Sequence, residues 1–225
     1  MENQSLFAGL ISRSIGKKQL MAITGLLLCG FLITHLLGNL LLLAGSDQFN
    51  LYAHRLTSTP LIYVAEAGLI AIFFLHLFLA LKVNIENRRA RPEKYYMKKS
   101  KGGATVFSRT MPFSGLVILV FVILHLMNFK YGVYYSTLVE GEEIRDLYRT
   151  VIEYFSNPYY TAWYCFAMFV LAFHLAHGVQ SSFQTLGVNH PQFNCCVQRA
   201  SLAFALLVPA GFSLLAIWCY WQNQI

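Results

Sequence analysis

Five runs of about twenty apolar residues constrain this chain more than anything else in it. They fall at roughly 19–43, 61–83, 111–129, 160–182 and 200–221, and a membrane-spanning helix needs about 20 such residues. In hydrocarbon every backbone N–H and C=O must find its partner within the segment, so such runs fold as helices. The composition agrees, with 56% hydrophobic and 12% charged residues against about 25% charged in soluble domains. The expected fold is an all-α integral membrane protein of five transmembrane helices, with residues 1–225 as a single membrane domain. That leaves no room for a soluble domain, so soluble chemistry belongs to a partner. The opening "MENQSLFAGLISRSIGKKQ" does not read as a signal peptide. The apolar run after it is too long and has no small-residue cleavage site. Residues 5–18 are expected to form a short amphipathic helix on the membrane surface.

The net charge of +7 is not a nucleic-acid footprint, because the charges alternate by connection. Arg13, Lys17 and Lys18 precede the first span, and the 84–109 connection, "NIENRRARPEKYYMKKSKGGATVFSR", is heavily basic. The 130–158 connection is acidic, with Glu140, Glu142, Glu143, Asp146 and Glu153 against Lys130, Arg145 and Arg149. Cytoplasmic connections are enriched in Lys and Arg, which puts the N-terminus inside and the C-terminus outside. The five cysteines form no CxxC and no CxxCH, so covalent haem attachment is excluded and no disulfide framework is indicated.

Seven histidines remain to be explained. His54 and His190 fall in connections. The first three spans carry His35, His76 and His125, one each, and the fourth carries His174 and His177. An ionisable residue in hydrocarbon is costly unless it faces a partner. Placed by span midpoints and orientation, His35 and His125 lie in the outer half of the membrane. His76 and the fourth-span histidine lie in the inner half, and the two levels are roughly 10–12 Å apart at 1.5 Å per residue. In an up-and-down four-helix bundle the first and third helices share one diagonal, the second and fourth the other. Two histidines at each of two depths, on opposite diagonals, suit two stacked bis-histidine b haems. Zinc or di-iron centres would need several ligands at one level, with Glu-x-x-His motifs for iron, and these motifs are absent from the spans. Gly30 and Gly38 flank His35, and Gly178 lies one turn after His174. Glycines in these places allow either a flat macrocycle or a neighbouring helix to approach closely.

The sequence resembles the di-haem cytochrome b membrane anchor of succinate dehydrogenases and fumarate reductases, in its five-helix single-subunit form. The resemblance covers nearly the whole chain and rests on "SRSIGKKQLMAITGLLL", "THLLGN", "LIYVAEAGLIAIFFLHLFLALKVNIENRRAR", "LHLMNF" and "FHLAHGVQSSFQTLG". The family's fourth ligand sits in an H-x-x-x-G pattern. His174 with Gly178 fits it, and His177 does not. The resemblance therefore implies His35 and His125 on an outer haem iron, His76 and His174 on an inner one, and a supporting role for His177. It also implies a flavoprotein subunit with FAD, an iron–sulfur subunit, menaquinone as substrate, and the cytoplasmic membrane of a bacterium. It leaves a dimer of complexes open. The rival reading is a di-haem cytochrome b of another membrane dehydrogenase, such as a hydrogenase or formate dehydrogenase.

A quinone site needs a proton donor or acceptor near each carbonyl oxygen. Glu66 is the one carboxylate in the spans, ten residues before His76 and so about 15 Å further out. Glu66 is expected to be the acid–base residue of an outer quinone site, with His54 as a second candidate. An interfacial carboxylate bonded to a helix end or to Arg55 is the plainer alternative for Glu66. Haem propionates need basic or hydrogen-bonding partners, and Lys18, Gln19, Arg109, His177, Gln180 and Ser181 are candidates on the inner side. Some fumarate reductases of this kind carry a glutamate beside the fourth ligand for proton movement. Here the position two before His174 is Ala172, which argues against that route.

Overall fold

The structure, a computed structural model, describes residues 13–90, 106–188 and 190–224, with only the backbone described for 106–109. Residues 5–12 of the expected surface helix over 5–18 and most of the basic connection therefore lie outside the described residues. Ser14–Lys18 are not part of a separate surface helix but open the first long helix, Ser14–Asn39.

Five helices are long and apolar enough to cross a membrane. α1 (Ser14–Asn39) continues through a 3-10 turn, Leu40–Ala44. A short helix, α2 (Ser46–Thr57), then leads to α3 (Leu61–Arg89). α4 (Val106–His125) ends in a π-helical turn, Leu126–Lys130. A hairpin of β1 (Ser136–Val139) and β2 (Glu142–Arg145) follows, then α5 (Leu147–Phe155). α6 (Pro158–Thr185) and α7 (Pro191–Gln222) complete the chain.

The helix starts are written locally. Asn157 precedes Pro158, and its side chain accepts the N–H groups of Tyr159 and Tyr160 at 2.9 and 3.4 Å. His190 precedes Pro191, and its Nδ1 accepts from Gln192 N at 3.3 Å. Each cap satisfies otherwise orphaned donors, and proline at the first helical position sacrifices an N–H that had no partner.

Packing gives a ring in the order α3, α1, α6, α4, closed by weak contact between α4 and α3, with α7 laid along α6. α1 and α4 are then diagonal, as are α3 and α6. This is the arrangement expected from the up-and-down connectivity. Between α6 and α7 the apolar core is built from Ala167, Met168, Leu171, Leu175, Val179 and Ala205. Leu27, Phe74, Leu116, Phe169 and Leu207 are exposed on the outer surface of the helices, where lipid is the fitting solvent.

Three boundaries differ from the sequence reading. The 84–109 connection is shorter, because α3 runs to Arg89 and α4 begins at Val106. The polar ends of these helices carry no hydropathy signal, although they continue the hydrogen-bond ladder. The 130–158 segment is not a plain loop, because it holds the hairpin and α5. His54 lies in α2, not in a loop.

These extra elements form a cap over one end of the bundle. Asn50 of α2 is 1% exposed. Its amide donates to Asp146 Oδ1 at 2.8 Å, and its carbonyl oxygen accepts from Tyr148 N at 2.8 Å. Asp146 in turn caps α5 by accepting from Arg149 N at 3.0 Å. Beneath, Leu42, Phe49, Val151, Phe155, Tyr164, Ala216 and Cys219 form one buried cluster that joins the cap to the bundle.

Candidate functional site

The two diagonals each bring one pair of histidines toward the bundle interior. On the α1–α4 diagonal, the rings of His35 and His125 have centroids 5.7 Å apart and planes at 82°. His35 stacks on Phe31 at 5.1 Å and meets Phe212 of α7 at 5.6 Å. His125 Nδ1 lies 2.8 Å from the hydroxyl of Tyr164 on α6.

The α3–α6 diagonal carries the second pair. His76 Nδ1 lies 3.1 Å from Thr24 Oγ1 on α1, and His174 Nδ1 lies 3.0 Å from Ser114 Oγ on α4. His174 is within electrostatic reach of both His76 and His177. The two hydroxyl protons are committed elsewhere. Thr24 donates to the Leu20 carbonyl at 2.9 Å, and Ser114 donates to the Met111 carbonyl at 3.0 Å. Each hydroxyl oxygen therefore meets the imidazole as an acceptor, which puts the imidazole proton on Nδ1 and leaves the Nε2 lone pair bare. A metal-bound histidine needs that tautomer, with Nδ1–H held by a neighbouring acceptor.

The hydroxyl partners also fix the spacing of the two levels. Thr24 and His35 are eleven residues apart on α1, Ser114 and His125 eleven on α4, and Tyr164 and His174 ten on α6. At 1.5 Å per residue the levels lie about 15 Å apart along the helices. This path runs along the helices, whereas the roughly 10–12 Å expected is a distance along the membrane normal.

The residues fit a planar macrocycle with two axial imidazoles. Metal–imidazole bonds of about 2 Å put the ring centres on one metal roughly 6 Å apart, close to the His35–His125 separation. A Cβ added at Gly30 or Gly178 would meet no atom within 4 Å. Gly38 serves another purpose: a Cβ there would lie 2.7 Å from the Tyr52 hydroxyl of α2. Gly25 is the glycine that lies against a histidine ring, with its added Cβ 3.2 Å from His76 Cε1. Among the described residues no three His, Cys, Asp or Glu side chains converge as a zinc or di-iron centre requires. The histidines group in twos.

At the capped end, Glu66 of α3 is ion-paired with Lys130 in the π-helical turn. Its cationic partner is thus Lys130, while Arg55 pairs with Glu140 at 3.6 Å. In the same turn Asn128 donates to the Tyr160 hydroxyl. His54 turns toward the hairpin, with Nε2 3.2 Å from Ser58 Oγ and 3.8 Å from Glu142 Oε2. The structure does not bring it to Glu66.

At the other end Lys17, 3% exposed, is ion-paired with Glu86, whereas Lys18 is exposed. Gln19 lines a cleft with Arg13, Ser14, Ile15 and Gly16. His177, Gln180 and Ser181 are half-buried on α6. Ser182 donates to the Gly178 carbonyl at 2.8 Å and lies 3.8 Å from a Cβ built on Gly25, beside His76. The Arg109 side chain is outside the described residues. Sequence reasoning missed Thr24, Ser114, Tyr164, Lys130 and Ser182. A signal for the first two was present: a hydroxyl eleven residues before a histidine, on both α1 and α4.

The family model for the succinate dehydrogenase/fumarate reductase transmembrane subunit matches residues 84–216, more than half of the chain. The chain belongs to this family. No curated protein and no solved structure matches it. As a succinate dehydrogenase/fumarate reductase transmembrane subunit, the protein is the multi-pass membrane component of an oxidoreductase complex whose catalytic subunits are separate chains. The match takes in His125 and His174 with most of α4, α6 and α7, and it does not favour the hydrogenase or formate dehydrogenase alternative.

Proposed function

We propose that this chain is the di-haem cytochrome b anchor of its complex, carrying electrons between a quinone at the capped end and an iron–sulfur subunit at the basic, cytoplasmic end. Two histidine pairs on opposite diagonals, at levels about 15 Å apart, carry the reading. His35 and His125 would hold the outer haem iron, His76 and His174 the inner. A haem with two axial imidazoles supplies one-electron transfer and has no open iron position.

The chain's own residues do the rest. Thr24 and Ser114 hold the inner imidazoles by their Nδ1–H groups, so that Nε2 of each points away from its own helix. The apolar walls built by Phe31, Phe121 and Phe212 keep water from the outer pair. Lys18, Gln19, Arg109, His177, Gln180 and Ser181 remain the candidates for propionate or supporting contacts on the inner side.

Glu66 is the proton-handling group for the quinone. Its carboxylate takes a proton from a quinol hydroxyl or returns one to a quinone oxygen, and the Lys130 ammonium holds the carboxylate in place between turnovers. His54 is the weaker candidate, because its described partners lie in the cap. The substrate is menaquinone, the membrane the cytoplasmic membrane of a bacterium, and the partners a flavoprotein with FAD and an iron–sulfur protein. The basic residues at the cytoplasmic end form their docking surface.

General acid–base groups contribute typically 10²–10⁴-fold. In the purified complex, Glu66→Gln should lower quinone-linked succinate or fumarate turnover by at least 100-fold. Haem content and succinate oxidation by a soluble dye should stay within twofold of wild type. Unchanged quinone turnover would remove Glu66 from the site.

A further inference from the structure

The four histidines are not held alike. His76 and His174 each face an aliphatic hydroxyl whose proton is tied to its own helix backbone. His125 faces a phenol that stands in a chain. Asn128 donates to the Tyr160 hydroxyl, Tyr160 donates to the Tyr164 hydroxyl at 3.5 Å, and Tyr164 lies 2.8 Å from His125 Nδ1. Tyr164 is 6% exposed and belongs to the buried cluster beneath the cap. Its ring is wedged edge-on between Phe121 and Phe155, at 4.8 and 4.7 Å. A buried phenol held on both faces has its oxygen in one place only.

From this we propose that Tyr164 is the positioning residue of His125 and sets the potential of the outer iron site independently of the inner one. The proposal rests on the di-haem reading above. With iron on Nε2, the His125 proton is on Nδ1 and Tyr164 Oη accepts it. An acceptor on Nδ1–H makes the imidazole a stronger donor and favours the ferric state. Tyr160 works in the opposite sense: its O–H, donated to the Tyr164 oxygen, weakens that oxygen as an acceptor. The π-helical turn at the capped end thereby reaches the outer site through a line of three side chains, Asn128, Tyr160 and Tyr164, while at the inner site each hydroxyl is tied to its own helix backbone.

The test is a potentiometric titration of the purified complex, wild type against Tyr164→Phe and Tyr160→Phe, with haem content and low-spin electron paramagnetic resonance signals recorded. One hydrogen bond of ordinary strength corresponds to a change of about three- to tenfold in the ferric/ferrous ratio of one haem. At 59 mV per tenfold for one electron, that is about 30–60 mV. Tyr164→Phe should raise the midpoint of one haem by this amount, leave the other in place, and alter one of the two low-spin signals. Tyr160→Phe should lower the same midpoint. If Tyr164→Phe loses a haem on purification, the Tyr160→Phe shift alone decides. Two haems with unmoved midpoints in the variants that keep them, or midpoints that move together, would overturn the proposal. A wild-type complex without haem would instead overturn the reading on which it rests.

Discussion

At the scale of the residue, the most exacting position outside the histidines is Gly132, just past the π-helical turn. A Cβ there would lie 1.9 Å from the Asn128 carbonyl oxygen, a contact that no rotamer can relieve because both groups are backbone. Gly132→Ala should therefore cost about 2 kcal/mol or more, read as a lower Tm of the detergent-purified protein. Because the same turn carries Asn128 and Lys130, quinone-linked activity should fall with it. At the protein surface, Glu153 accepts from Arg149 Nε at 2.9 Å. Arg149 first, then Tyr135, hold its carboxyl below the ordinary value of 4.5. A depressed carboxylate pKa contributes stability that is present above the ordinary value and lost as pH falls through the folded one. The Tm should therefore decline as pH is taken below about 4.5, and Glu153→Gln should blunt that part of the decline. An equal decline in both proteins would assign the acid sensitivity to other carboxylates. The effect belongs to an exposed group and should weaken with salt.

At the scale of the element, the long helices were legible and the short ones were not. Hydropathy finds a helix that faces lipid, since nothing polar can sit there unsatisfied. α2 and α5 face lipid little or not at all, and their apolar residues are spent on the cap. Yet α5 had its own marker in Asp146, a capping residue before the amphipathic "LYRTVIEYF". The hairpin had Glu140–Gly141, both at positive φ, 53° and 85°, in the two-residue turn that joins antiparallel strands. The histidines were legible because each stands alone in an apolar run. Their hydroxyl partners were not, because Thr and Ser are common in helices and only the packing of α1 on α3 and of α4 on α6 shows which ones matter. Asn50 tests the cap as an element. Asn50→Ala would remove the acceptor of the Tyr148 N–H and one of the two donors to Asp146 Oδ1, at a cost of about 1–3 kcal/mol. The expected result is faster proteolysis within 130–158 and a lower Tm, with haem content unchanged. Equal proteolysis rates would show that Asn50 does not hold the cap.

At the scale of the whole molecule, the two diagonals place two histidine pairs one above the other, between an acidic cap and a basic face. An electron passed between the ends crosses most of the membrane, and one charge moved against 100 mV is worth about 2.3 kcal/mol. Turnover in sealed vesicles should accordingly respond to an imposed potential, and an uncoupler should abolish the response. All of this depends on the four histidines binding two haems. The most direct measurement is a dithionite-reduced-minus-oxidised spectrum with haem quantification on the purified complex, for wild type, His174→Ala and His177→Ala. The expected result is two b haems per chain in wild type and in His177→Ala. His174→Ala should lose one haem or convert it to a high-spin form. Two low-spin haems in His174→Ala would contradict the ligand set, and a wild-type complex with no haem bands would contradict the account as a whole.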